Sequence, residues 1–141
     1  MSAKPFEAVQ AGDVIGPRTL TFTRDKLVRY AGASGDFNPI HYNDEYARSV
    51  SLPGVIVHGM LTMGAAIDVV VAWAGGPGAV VDYEVRFSRP VPVPALGQAA
   101  VEVSGKVTSL DAEARTARVA LTVAHEGHKV LGKALVTVRL A

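Results

Sequence analysis

The stretch from Gly59 to Ala74 limits the fold of this chain more than any other feature. Met60, Leu61, Met63, Ile67, Val70 and Trp73, with the alanines and valines between them, cover nearly the whole circumference of a helix. A helix without a polar face is buried on most sides, so the rest of the chain must supply a surface that wraps it. The stretch is too short to span a bilayer and carries Asp68. An unpaired buried carboxylate is costly, so Asp68 is expected to be paired, hydrogen-bonded or at an interface, in a structural role.

The wrapping surface follows in the sequence. Val80 to Phe87 alternates, placing Val81, Tyr83, Val85 and Phe87 on one face of a strand. Ala99 to Leu110, Thr116 to His125 and Lys129 to Leu140 are long alternating runs. Asp111-Ala112-Glu113-Ala114 and Glu126-Gly127-His128 join them as hairpin turns. Between Arg89 and Pro94 the repeated prolines predict an irregular connection or an edge. An antiparallel sheet wrapped around one central helix satisfies this order and makes the fold class α+β. With 141 residues, 49% of them hydrophobic, and no linker or repeat, residues 1–141 read as a single domain.

The first part of the chain is less regular. Gly12-Asp13 and Gly16-Pro17 predict turns, and Thr19 to Phe22 a short strand. Thr23 can cap a helix from Arg24 that sets Leu27, Val28, Tyr30 and Ala31 on one face, with Gly32 and Gly35 weakening and ending it. A short helix from Asp44 to about Ser49 follows, capped by Asn43. Leu52-Pro53-Gly54 is a turn before the short apolar run Val55 to Val57.

Between these elements lies Gly35-Asp36-Phe37-Asn38-Pro39-Ile40-His41. Proline removes an amide proton and disfavours helix at Asn38, so the segment is an irregular loop. Asp36 and His41 form a candidate acid/base pair. Adding water across an activated double bond needs one group to take a proton from water and another to deliver one to carbon. A carboxylate and an imidazole can do both. Asn38 stands between them and can orient either. Asp, Asn and Pro are also ordinary turn residues, and by its own residues the segment fits a turn as well as a site. His58-Gly59-Met60 opens the apolar helix. A helix N-terminus offers free amide protons and the positive end of a dipole, and glycine lets a ligand approach the backbone. A thioester enolate needs such donors, although Gly59 also suits a tight loop-to-helix turn.

Tyr30-Ala31-Gly32-Ala33-Ser34-Gly35-Asp36-Phe37-Asn38-Pro39-Ile40-His41, followed by Asp44 and Ala47, resembles the hydratase-2 motif of MaoC-like hot-dog proteins. Val55-Ile56-Val57-His58-Gly59-Met60-Leu61 resembles that family's second motif, in the expected order and spacing. The resemblance extends to Val85-Arg86-Phe87 and Arg89-Pro90-Val91. It implies a hot-dog fold, with a curved sheet around the Gly59–Ala74 helix. It implies a homodimer, or a heterodimer with a related hot-dog subunit, joined sheet edge to sheet edge. The activity it implies is that of a (3R)-hydroxyacyl-thioester dehydratase or (R)-specific trans-2-enoyl-thioester hydratase on acyl-CoA or acyl-carrier-protein substrates. Asp36 and His41 would be the catalytic pair, Asn38 a positioning residue, and the Gly59 amide the oxyanion donor. His58, Met60, Arg86 and Arg89 are possible substrate contacts, the two arginines toward carrier phosphates. Met60, Met63 and Ile67 are candidates for an acyl tunnel.

This sequence departs from the family pattern at Gly64, where many single-chain members have serine, and across Val91 to Gly97. The latter resembles subunits of heterodimeric enzymes. Two other readings of the fold remain: a non-catalytic acyl-binding or assembly subunit, and an acyl-CoA thioesterase. No metal or redox cofactor is expected, because no carboxylate or third histidine stands at ligand spacing from His41 and His58 in the sequence. His125 and His128 flank a hairpin turn and are expected to be solvated. The absence of cysteine excludes disulfides and a thiolate nucleophile. A net charge of +1 without basic runs gives no nucleic-acid surface. The opening residues lack the apolar core of a signal peptide, so the expectation is a cytoplasmic protein without a membrane partner.

Overall fold

The computed structural model describes residues 2–141. Six strands, β1 (Val14–Phe22), β2 (Val80–Phe87), β3 (Ala99–Asp111), β4 (Thr116–His125), β5 (His128–Lys129) and β6 (Leu131–Arg139), form one antiparallel sheet. The order along it is β1-β3-β4-β6-β2, with β5 paired to β4. Three helices, α1 (Arg24–Ser34), α2 (Asp44–Ser49) and α3 (Gly59–Ala74), lie between β1 and β2 in the chain. This is the α+β hot-dog arrangement that the motifs imply. Among the described residues no helix is long and apolar enough to cross a membrane.

Residues of β3, β4 and β6 alternate between the two faces of the sheet, and the valines stand on the face turned to the core around α3. Val101, Val103, Val107, Val119, Val123, Val136 and Val138 are almost wholly buried. α3 meets them with Thr62, Ala66, Val69, Val70 and Ala74. Tyr83 pins the helix sideways by donating its hydroxyl to the Met63 carbonyl at 3.0 Å. Burial pushes that phenol up to about 12. At the far end Gly75, in the left-handed region at φ 95°, donates its amide to the Val71 carbonyl and stops the helix.

Several expectations are corrected. α3 is covered on one side only, since one sheet has one face to offer. Met60, Gly64, Asp68 and Ala72, four residues apart, stay exposed. Asp68 is therefore neither buried nor, among the described residues, ion-paired. Gly16-Pro17 is not a turn; it lies inside β1 at a bulge between Ile15 and Arg18. An edge strand tolerates a proline there because its outward amide has no ladder partner to lose. A second bulge near Val81 puts Val80, with Tyr83 and Val85, against the core and leaves Val81 exposed, and Phe87 is exposed as well. In α1, Leu27 and Ala31 are buried but Val28 is not. Thr23 occupies the N-cap of α1 without capping it, because its hydroxyl is bonded to the Asp25 carboxylate. The last long run breaks at Val130, whose carbonyl accepts the Ser88 amide at 3.0 Å.

Candidate active site

The loop that carries Asp36 is built by its own side chains. Gly35, at φ 75°, ends α1 by donating its amide to the Ala31 carbonyl at 2.9 Å. The Asp36 carboxylate accepts the Asn38 amide at 3.1 Å, and the Asn38 side chain accepts the Ile40 amide at 3.2 Å. These two nested turns lead into a 3-10 turn at Pro39–His41, where the Asn38 carbonyl accepts the His41 amide at 3.0 Å. Asn38 thus organises the backbone and makes no side-chain bond to Asp36 or His41. The loop is tied outward as well. The Ile40 carbonyl accepts the Ile56 amide at 3.1 Å, and the Val55–Val57 segment is bonded to Val91 and Val93.

His41 is buried, at 7% exposure, and its Nδ1 lies 2.8 Å from the Ile56 carbonyl. A carbonyl only accepts, so Nδ1 carries the proton and the neutral ring presents a lone pair at Nε2. That Nε2 faces Asp36 Oδ2 at 3.9 Å, too long for a direct hydrogen bond and wide enough for one oxygen bonded to both. The Asp36 side chain is half-exposed.

His58 stands behind this pair at the N-terminus of α3. It is 1% exposed, stacked on His41 with ring centroids 3.8 Å apart and planes at 20°. Tyr30 of α1 meets it edge-on at 4.7 Å. Burial is the main cause that lowers its pKa below the ordinary histidine value, with His41 adding to that shift; the Asp36 carbonyl and carboxylate oppose it.

In front of His41 lies a cleft of about 430 Å³. His41, Gly59, Thr62, Phe87 and Arg89 are among its walls. No side chain caps the N-terminus of α3, so its first amides are free to face a ligand. A Cβ at position 59 would lie 3.0 Å from the Phe87 ring, so any larger residue there needs that half-exposed ring to shift. Of the expected substrate contacts, Arg89 lines the cleft. Arg86 is exposed and does not line it, and Met60 is turned to the uncovered face of α3, 58% exposed. Met63 and Ile67 are half-buried on the helix and also lie outside the cleft wall. A larger groove of about 870 Å³ runs between Arg24, Asp44 and the Pro92–Gln98 connection. It holds neither His41 nor Gly59, so the candidate site does not coincide with the larger groove.

Two sequence expectations about histidines change. Folding does bring a carboxylate to the histidines: ligand atoms of Asp36, His41 and His58 lie within 4.8 Å of one another. Imidazole lone pairs lie in the ring plane, and two rings stacked at 20° direct them side by side rather than toward one ion. His125 is not simply solvated, because its Nδ1 donates to the Ala100 carbonyl at 2.7 Å, while His128 is exposed. Sequence reading gives no site role to Tyr30, Ile56, Thr62 or Phe87, although Tyr30, Ile56 and Phe87 stand within the segments that resemble the family. Each reaches the site from a different element, and no local spacing announces them.

Over residues 6–125 the sequence matches the family model of the MaoC like domain. It is 45% identical over 76 residues to the Mycobacterium tuberculosis protein named 3-hydroxyacyl-thioester dehydratase X, a match that covers 54% of this chain and 26% of that protein. It is 36% identical over 114 residues to 3-hydroxybutyryl-CoA dehydratase of Methylorubrum extorquens, covering 79% of this chain and 70% of that one. A solved structure described as a MaoC-like dehydratase superposes with a TM-score of 0.95 at 43% identity, over 99% of this chain and 43% of that chain. The matches therefore cover about a quarter of the mycobacterial relative and less than half of that solved chain. The family model and the Methylorubrum relative together show that the chain belongs to the MaoC-like domain family.

Proposed function

We propose that this chain adds water reversibly to a trans-2-enoyl thioester, giving the (3R)-3-hydroxyacyl thioester. The observation that carries this reading is His41 Nε2 facing Asp36 Oδ2 at 3.9 Å while Nδ1 is held by the Ile56 carbonyl, beside a cleft that also holds Gly59 at the uncapped N-terminus of α3. In dehydration His41 takes the C2 proton, and the electron pair moves onto the thioester oxygen, where the Gly59 amide stabilises it. As the C2–C3 double bond forms, protonated Asp36 donates to the leaving hydroxyl, which departs as water. Hydration runs the same steps backward: the Asp36 carboxylate takes a proton from water and His41, now cationic, delivers one to C2. Each turnover exchanges one proton between the two groups, so the pair is restored by a proton shift across the gap. The chemistry calls for no redox or metal cofactor.

The substrate is an acyl-CoA or acyl-carrier-protein thioester, and Arg89, which lines the cleft, would meet a carrier phosphate. The open face of α3, through Met60, Gly64 and Ala72, and the free edge of β2 are surfaces for a second copy or a related subunit. Light scattering of the protein expressed alone should then give about twice the 14.8 kDa chain mass. A monomer without hydratase activity that becomes active only with a second subunit would assign it to the heterodimeric class.

A thioesterase would use Asp36 on the carbonyl carbon instead. The two reactions separate in one assay with crotonyl-CoA. Loss of the enoyl absorbance without release of thiol is the expected result, and thiol release would overturn the hydratase reading.

A further inference from the structure

His58 takes no proton in the chemistry above, yet it touches both groups that do. Its Nε2 lies 3.2 Å from the Asp36 carbonyl. Since a carbonyl can only accept, Nε2 holds the hydrogen and Nδ1 is a bare acceptor. That Nδ1 is fully enclosed and has no hydrogen-bond partner. A buried acceptor left unmatched is uncommon, and here the alternatives are worse. Moving the proton to Nδ1 would leave two carbonyl and imine acceptors facing each other at Nε2. Protonating both nitrogens would bury a cation against the face of His41. The groups around the ring are Tyr30 on α1, His41 in the 3-10 turn, and the carbonyl and carboxylate of Asp36 in the loop. Only the Asp36 carboxylate could balance a charge there, and it is half-exposed and directed at His41.

We infer that His58 is a positioning residue, a permanently neutral Nε2–H imidazole that holds Asp36 by its backbone and His41 by its ring face. The inference rests on the acid/base reading of that pair. Stacking fixes the plane of His41, and the Ile56 carbonyl fixes its rotation within that plane. Together they direct Nε2 at Asp36. The bond from His58 sets the height of the Asp36 backbone above the same ring. A neutral stacking partner also lets His41 become cationic during turnover, because the charge meets a π-face rather than a second cation. One ring from the start of α3 thus couples the oxyanion donor at Gly59 to the acid/base loop.

The experiment uses nitrogen-15 spectra of the histidine rings in the intact protein, with kinetics on two variants. In the wild type, His58 should remain neutral and Nε2-protonated from about pH 8 down past the ordinary histidine pKa of about 6.5. Neutral His41 should carry its proton on Nδ1. His58→Gln keeps an amide donor for Asp36 and removes the stacking ring. It should let His41 populate both tautomers and lower kcat at least about tenfold, with KM changing less than about twofold. His58→Phe keeps the ring and removes the donor. It should preserve the His41 tautomer while still lowering kcat. Thermal melting of both variants checks that they fold, and if one does not, the wild-type spectra and the other variant decide. A charged or Nδ1-protonated His58 at neutral pH would overturn the inference, as would a His58→Gln protein with unchanged kcat and His41 spectrum. If the spectra are as expected but no enoyl thioester is hydrated, the proposed reaction fails and the arrangement of the two rings stands.

Discussion

His41→Ala is expected to lower kcat for enoyl-CoA hydration by at least about a hundredfold, and Asp36→Asn by a similar factor. The two losses have different causes. Alanine at position 41 removes the Nε2 lone pair that faces Asp36 at 3.9 Å, and with it the group that exchanges a proton with C2. It also frees the Ile56 carbonyl, so a fall in stability accompanies the fall in rate. Asparagine at position 36 keeps the acceptor for the Asn38 amide, so the loop should hold its shape. It cannot carry the exchanged proton, which isolates the chemical role. The double variant should be little slower than either single one, because two groups that act as a unit are not additive. Steady-state kinetics with crotonyl-CoA measures all three. Substantial activity in both single variants would remove the acid/base mechanism.

Asp44→Ala is expected to cost about 3 kcal/mol of folding stability, read from urea unfolding at neutral pH. This carboxylate joins the pieces that frame the site. Its Oδ1 accepts the Val55 amide at 2.9 Å, and both oxygens take Arg24 Nη2, at 3.0 and 3.1 Å. Arg24 in turn donates Nε to the Val93 carbonyl at 2.9 Å. Removing Asp44 leaves the amide of fully buried Val55 unsatisfied and Arg24 without its counter-charge. The Val55 amide first, and Arg24 with it, hold the Asp44 carboxyl below the usual aspartate range. A depressed folded pKa means that this stability is fully present above the unfolded pKa of about 3.9 and fades as pH falls through the lower, folded value. The difference between wild type and variant should therefore shrink in acid. A constant difference down to that range would show that the charge contributes nothing.

How far the sequence could be read depended on whether a feature is local. The two hairpin turns, the ends of α2 and α3, and the alternation of β3 and β4 follow from neighbours in the chain, and the structure has them within a residue or two. The first motif was legible as an irregular loop for the same reason, since the Asp36–Asn38–Ile40 bonds that shape it are all short-range. The misreadings came where an edge or a missing cover changes what a pattern means. Gly16-Pro17 reads as a turn because a bulge on an edge strand looks the same from the sequence. The apolar pattern of α3 does not say which side its own sheet covers, so from sequence Asp68 reads as paired, hydrogen-bonded or at an interface, and the structure leaves it exposed on the open face.

By itself the sequence determined that an apolar helix must be wrapped by alternating strands, and it placed Asp36, His41 and Gly59 as candidates for one reaction. Periodicity acts over a few residues, and that range is enough for the first statement; the second rests on the resemblance of the two motifs to the MaoC-like family. Only the tertiary structure decided that His58 lies 3.8 Å from His41, that the Ile56 carbonyl fixes which nitrogen of His41 is free, and that Phe87 closes on Gly59. Those contacts join residues from different elements. Their geometry depends on how the sheet curves and where the irregular segments are tied, and no window of sequence contains both partners.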